Sequence, residues 1–292
     1  MAVATQRLIS VRPRAGIRWQ KIMELIGAHS MLIALSIVFL IPFFWMVTGA
    51  LKTTEDLNAF PAVWFPQVLT LENVIAGVQA FPFLRYLINT LVICAFSMIG
   101  AALSSSFVAY GLARIEWRWR TPIFVLLIAT MMIPFYVTML PLFTMFRALG
   151  WTNTYLPLIL PHFFGVPFYI FLLRQFFLSI PKELSESARL DGANELIIYW
   201  RIILPLAKPA LAAVVLFQFL ASWNDLLGPL IYLSDADTYP LSLGLTFFRM
   251  EYSTQFGPLM AASTIVVIPV IIVFFFAQRT FIQGITLTGV KG

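Results

Sequence analysis

Six stretches of the chain, each 22 to 27 residues long, carry at most one charged residue apiece. A helix of about 20 apolar residues crosses the ~30 Å hydrocarbon core of a bilayer, so each stretch is long enough to span it. The stretches are Ala28–Leu51, Leu87–Ala113, Pro122–Phe146, Thr154–Phe177, Pro209–Leu233 and Gly257–Gln278. Backbone inside lipid has no water to bond to, so segments of this kind form helices that satisfy their own amides. Composition points the same way. Apolar residues make up 60% of the chain and charged residues 11%, against roughly 25% charged in a soluble domain. Too few polar side chains are present to cover a soluble surface, which excludes a disordered chain and a free soluble enzyme. The expected fold is an all-α integral membrane protein with six spans.

The placement of Lys and Arg sets an expected orientation. With the amino terminus in the cytoplasm, 15 of the 19 basic residues fall on that side, and only Lys52, Arg85, Arg147 and Arg249 fall outside. That is a positive-inside asymmetry, and it predicts both termini in the cytoplasm. It also accounts for the net charge of +6 without nucleic acid as a partner. The first 27 residues hold five basic side chains, too long and charged a stretch for a usual secretory leader. The expected organisation is a cytoplasmic arm over 1–27, a six-helix membrane domain over 28–279 including an inner loop at 178–208, and a tail over 280–292. The single cysteine, Cys94, permits no intrachain disulfide, and His29 and His162 lie too far apart in sequence for a recognised ligand pair. No metal site is expected.

The spans are not simple lipid anchors. Pro134 and Pro141 interrupt the third, and Pro157, Pro161 and Pro167 the fourth, each removing a backbone donor and kinking the helix. Gly100 and Ser104 in the second span, followed by Ser105 and Ser106, form a small-residue face suited to close helix packing. Between the fourth and fifth spans, the inner loop divides into two short helices at Gly192. Ser185 is the expected cap of the first, with Glu186 near its positive end. The second, Asn194 to Leu204, places Leu196, Ile197, Tyr199, Trp200 and Ile203 on a short amphipathic element that reads as a docking surface.

Glu186-Ser-Ala-Arg-Leu-Asp-Gly-Ala, followed at a fixed distance by Pro205, resembles the EAA motif of ABC importer permeases. Glu186, Ala188, Asp191, Gly192, Ala193 and Pro205 agree with it, a coincidence on the order of one in ten million per start position at ordinary residue frequencies. Ser187 departs from the usual alanine. The stretch Phe219-Leu-Ala-Ser-Trp-Asn-Asp-Leu-Leu-Gly-Pro-Leu and the tail from Gln278 to Gly292 resemble the carbohydrate-uptake branch, that of the six-span maltose permeases. The resemblance implies a type I ABC importer transmembrane fold with kinked inner helices and a coupling helix at the inner loop. It implies a second homologous permease subunit, two ATP-binding subunits and an extracytoplasmic solute-binding protein as partners. It also implies a sugar or related polyol as substrate, ATP and magnesium on the partner ATPase chains, and a bacterial or archaeal plasma membrane as location.

The chain holds no G-x-x-x-x-G-K-[ST] motif and no catalytic constellation of recognised spacing, so it is not expected to be an enzyme by itself. Asp225 is the only acid within a span, and a charge there costs about 2.5–3.5 kcal/mol on insertion scales unless it faces a cavity or partner. With Trp223 and Asn224 it forms a candidate translocation-path group; capping a helix or bonding a neighbouring subunit is the alternative role for Asp225. His162, between two prolines, either satisfies a freed carbonyl or lines a path. The acid-rich outer segments Lys52–Tyr86 and Ser234–Phe256 are the expected contacts of the binding protein. The rival class is an autonomous secondary transporter or channel, which usually carries inverted repeats and several intramembrane ionisable groups. Neither feature is evident.

Overall fold

A computed structural model describes residues 19–251 and 255–289. Most of the expected amino-terminal arm, with Arg7, Arg12, Arg14 and Arg18, lies outside the described residues, as does Lys291. The longer helices are α1 (Trp19–Ala50), α2 (Phe83–Ala113), α3 (Arg120–Thr130) and α4 (Phe135–Ala148). They are followed by α5 (Pro167–Ser179), α6 (Glu183–Leu190), α7 (Glu195–Leu206) and α8 (Lys208–Trp223). Three more complete the set: α9 (Leu227–Tyr232), α10 (Leu241–Glu251) and α11 (Phe256–Gly289). No strand occurs among the described residues.

Four helical runs are long and apolar enough to cross a bilayer unbroken, and two bent pairs bring the number to six. The third span is therefore not one rod. α3 and α4 meet at 96°, because Pro134 lacks an amide and drives the residue before it out of helical backbone. The fifth span also departs from a straight run. α7 turns by 78° into α8 at Ala207, and α8 then ends at Trp223, short of the expected Leu233. In the fourth span, Leu156–Ile159 passes through a 3₁₀ stretch, Leu160–Phe164, before α5 restarts at Pro167.

α2 is the helix on which the others are assembled. It packs against α5, α8 and the 3₁₀ stretch, and more lightly against α3 and α10. Lipid tails are as apolar as leucine, so this packing comes from close fit and hydrogen bonds rather than exclusion of water. The small-residue face supplies both. A Cβ on Gly100 would overlap the Phe163 ring. Ser104 donates to the carbonyls of Gly100 (2.7 Å) and His162 (2.8 Å), and Ser105 Oγ accepts from Val166 N (3.1 Å). The main core joins α2, α5, α7 and α8 through Ala101, Ala109, Leu173, Phe177, Ile198, Ile203 and Val214, all buried. α11 holds α1, the short helix Glu72–Gln79 and α8 on the other side of the bundle.

Candidate functional site

The inner loop folds into the two-part element expected from sequence, and its backbone explains the break. α6 ends in a left-handed residue, Gly192, with φ of +84°. Ala193 N donates to Ala188 O (2.9 Å) and Gly192 N to Arg189 O (3.0 Å), the paired 6→1 and 5→2 bonds of a Schellman closure. Asn194 then caps α7, its Oδ1 accepting from Ile197 N at 2.9 Å. Within α7, residues Tyr199–Ile203 form a π-helical turn in which Leu204 N reaches Tyr199 O. Such turns are rare and concentrate at functional sites.

The motif residues divide between two faces. Ala188 is buried and Ala193 half-buried against the core, while Glu186, Asp191, Gly192 and Pro205 are exposed. Leu190, 90% exposed, and Leu196 and Trp200, both 56% exposed, form an apolar outer face. Tyr199 departs from the expected docking stripe. It points inward at 1% exposure, because its neighbours Phe107 and Tyr110 on α2 receive its ring and Ser106 Oγ lies 2.7 Å from its hydroxyl. Ser185 also departs from expectation. The helix begins before it, at Glu183, and its Oγ accepts a hydrogen bond from Arg114 rather than capping.

Arg114, at the end of α2, is the residue that sequence reasoning treated only as a topology charge. Its Nη1 donates to Ile180 O (2.8 Å) and Phe177 O (3.4 Å), and its Nη2 to Pro181 O (3.1 Å) and Ser185 Oγ (2.7 Å). It thereby adds a donor to the carbonyls where α5 ends, and reaches the first turns of α6. Arg174 of α5 returns the contact, donating to Leu112 O at 3.2 Å near the end of α2. One turn before Arg114, Tyr110 donates to Glu195 Oε2 at 2.6 Å, and Arg189 Nε donates to Glu195 Oε1 at 2.9 Å. Burial would raise the Glu195 carboxyl, but these two hydrogen bonds and the Arg189 and Arg114 charges outweigh it and hold it below its ordinary range. Glu195 is thus an ionised acceptor shared by α2 and both halves of the loop. The only sequence signal for this arrangement was polar side chains at the end of an apolar run.

At the opposite end of α2, Arg85 pairs with Asp237 (2.5 Å), and Asn89 Nδ2 donates to the carbonyls of Asp237 (2.9 Å) and Tyr239 (3.0 Å). Thr90 Oγ1 accepts from Leu241 N at 2.9 Å. The segment between α9 and α10 is thus tied to this end of the helix.

The candidate path residues separate. Trp223 is buried with Phe83, Tyr86, Cys94, Phe219 and Leu241, and Asn224 Nδ2 donates to Leu220 O at 2.8 Å. Asp225 Oδ1 accepts from Gly228 N at 3.1 Å, the capping role held open from sequence, where the chain breaks before α9. Asp225 also borders a cavity of about 700 Å³ between α4, the 3₁₀ stretch and α9, lined mainly by aromatic and aliphatic side chains. His162 lines the same cavity, with Nε2 at 3.3 Å from Gln218 Nε2. Among the described residues, no cluster of His, Cys, Asp and Glu is arranged to hold a metal ion.

The family described as binding-protein-dependent transport system inner membrane component matches residues 101–287 of the chain. Over 263 residues the chain is 36% identical to the arabinooligosaccharides transport system permease AraQ of Bacillus subtilis, covering 88% of this chain and 92% of that one. It is 32% identical over 261 residues to the diacetylchitobiose uptake permease DasC of Streptomyces coelicolor, covering 89% and 95%. The trehalose/maltose transport permease MalG of Thermococcus litoralis is 30% identical over 277 residues, with 94% and 98% covered. Among solved structures, a chain of a bacterial ABC transporter involved in import of the acidic polysaccharide alginate superposes with a TM-score of 0.78 at 24% identity, covering 92% of this chain and 99% of that one.

Proposed function

The chain belongs to the family of binding-protein-dependent transport system inner membrane components, and from that premise we infer that it is one permease subunit of an ATP-driven sugar importer. The cargo is an oligosaccharide or related polyol handed over by an extracytoplasmic binding protein, as the names of AraQ, DasC and MalG suggest by similarity. A second, homologous permease completes the membrane pathway. Two ATP-binding subunits bind and hydrolyse ATP with magnesium on the cytoplasmic side, where both termini and the 178–208 loop lie.

The observation that carries this reading is the two-faced loop. Its inner face, with Ala188, Ile198 and Tyr199, is built into the membrane bundle, while Glu186, Asp191, Leu190 and Trp200 stand outside it. Leu190 stands almost wholly outside the core and Trp200 touches it only through an edge contact with Tyr199, and on a cytoplasmic loop they suit a cleft on an ATPase subunit. Closure of the ATPase pair moves the two permeases' loops together and rocks the bundle between inward- and outward-facing states. ATP and the loaded binding protein both bias that equilibrium.

The test is purification from native membranes through a tag on this chain. A second permease and a Walker-motif ATPase are expected to co-purify. ATP hydrolysis by the complex should rise when its binding protein is added with the right sugar from a panel of arabino-oligosaccharides, trehalose, maltose and chitobiose. A chain that purifies alone and moves solute without ATP would refute the reading.

A further inference from the structure

Among the six sequence-predicted spans, only the one containing α2 has no proline. Proline removes a backbone amide and interrupts a helix, and α2 is spared that interruption. It runs unbroken for 31 residues, about 46 Å at the helical rise per residue. Its two ends hold the two pieces of the chain that face opposite sides of the membrane. At the inner end, Tyr110 holds Glu195 and Arg114 holds Ser185, so both arms of the coupling loop are bonded to it. At the outer end, Arg85, Asn89 and Thr90 hold the segment from Asp237 to Leu241. Between Asn89 and Tyr110 the helix climbs about 32 Å, close to one hydrocarbon thickness.

We propose that α2 is the connecting rod of this subunit: Tyr110 and Arg114 are positioning residues through which the coupling loop moves it, and Arg85 and Asn89 pass the movement to the Asp237–Leu241 segment. This rests on the importer reading. The Tyr110–Glu195 bond is the critical link, because Glu195 is also held by Arg189 of α6 and so gathers both loop helices onto one α2 side chain. A helix in a close-packed bundle shifts as a body between discrete arrangements, so movement imposed at one end reaches the other without intermediate ligands. Demonstrating such a link requires measured coupling, not intermediacy.

The experiment uses the complete complex in nanodiscs, with Cys94→Ala and Ser234→Cys as background. Ser234 is exposed beside the outer latch, and the exchange is nearly isosteric. The probes are ATP with vanadate, and a maleimide dye whose labelling rate at position 234 is measured. In the unaltered latch, ATP with vanadate should change that rate by about fivefold or more, the low end of ordinary coupling between sites. Tyr110→Phe keeps the ring and removes one hydroxyl; Glu195→Gln keeps the shape and removes the charge. Each should reduce the response severalfold while the complex still assembles and hydrolyses ATP. The double variant should lose no more than the worse single, the signature of one shared interaction.

A full response in both single variants would overturn the proposal, as would losses that simply add. Failure of the importer reading looks different: no ATPase chain would co-purify with the parent at all.

Discussion

Gly192 shows how narrowly the loop depends on single residues. A side chain there would meet no atom of this chain within 4 Å, so its need is conformational and not one of space. With φ at +84°, alanine costs about 1–2 kcal/mol of backbone strain, and asparagine less because it visits left-handed backbone more readily. Proline fixes φ near −65° and removes the amide that bonds Arg189 O, so it cannot hold the turn. Uptake of radiolabelled sugar, at matched membrane levels, should therefore fall in the order glycine, asparagine, alanine, proline, with proline inactive. Equal uptake by all four would sink the coupling assignment. The motif residues were legible because their spacing is local: Glu186, Asp191 and Gly192 stand outside the bundle, free to meet a partner. Arg114 and Tyr110 were not legible. Their partners lie more than 60 residues away, and nothing along the chain announces a distance through space. Lys52 escaped for a different reason, since its partner is only seven residues away but its burial is set by the fold. Read as a loop charge, it is wholly buried, with its ammonium 3.9 Å from the centroid of the Trp45 ring.

At the scale of elements, the apolar runs located the helices and Pro134 marked a break, but Pro141, expected to interrupt the third span, sits inside an unbroken α4, and the chain breaks after Trp223 without a proline. The angles were hidden. A proline states where the hydrogen-bond ladder fails, while the neighbours that take up the freed groups decide which way the helix turns. Thus Pro134 explains why α3 and α4 part, while the values of 96° there and 78° between α7 and α8 are not written in the local sequence. Orientation is a separate question, and the loop offers a clean probe of it. Leu190, at the end of α6, is 90% exposed and holds no hydrogen-bonding side chain, so Leu190→Cys in a Cys94→Ala background leaves the Schellman turn intact. In intact cells that express the permeases without their ATPase, which would otherwise cover Leu190, an impermeant maleimide should label Ser234→Cys and leave Leu190→Cys untouched. Permeabilisation should reverse the second result. Labelling of Leu190→Cys in intact cells would invert the proposed topology.

The molecule as a whole is organised around a helix with unlike fastenings. The inner fastening joins a tyrosine hydroxyl to a carboxylate in a part-buried setting. The outer one joins the hydrogen bonds of Asn89 and Thr90 to an ion pair whose side chains are 55% and 57% exposed. Exposed pairs are worth about 0–1 kcal/mol and weaken with salt, since the Debye length shrinks from about 10 Å at 0.1 M to about 3 Å at 1 M. External salt should therefore lower sugar uptake in right-side-out vesicles by at most about fivefold, with the interior buffer and osmolarity held constant. Asp237→Asn should remove most of that sensitivity; an unchanged salt profile in this variant would place the effect elsewhere. In engineering terms, that result would make the ionic strength of the medium a gain control on the outer end of the proposed linkage. A cell carrying this importer would meet brackish surroundings with its ATPases untouched and its mechanical transmission slightly slack.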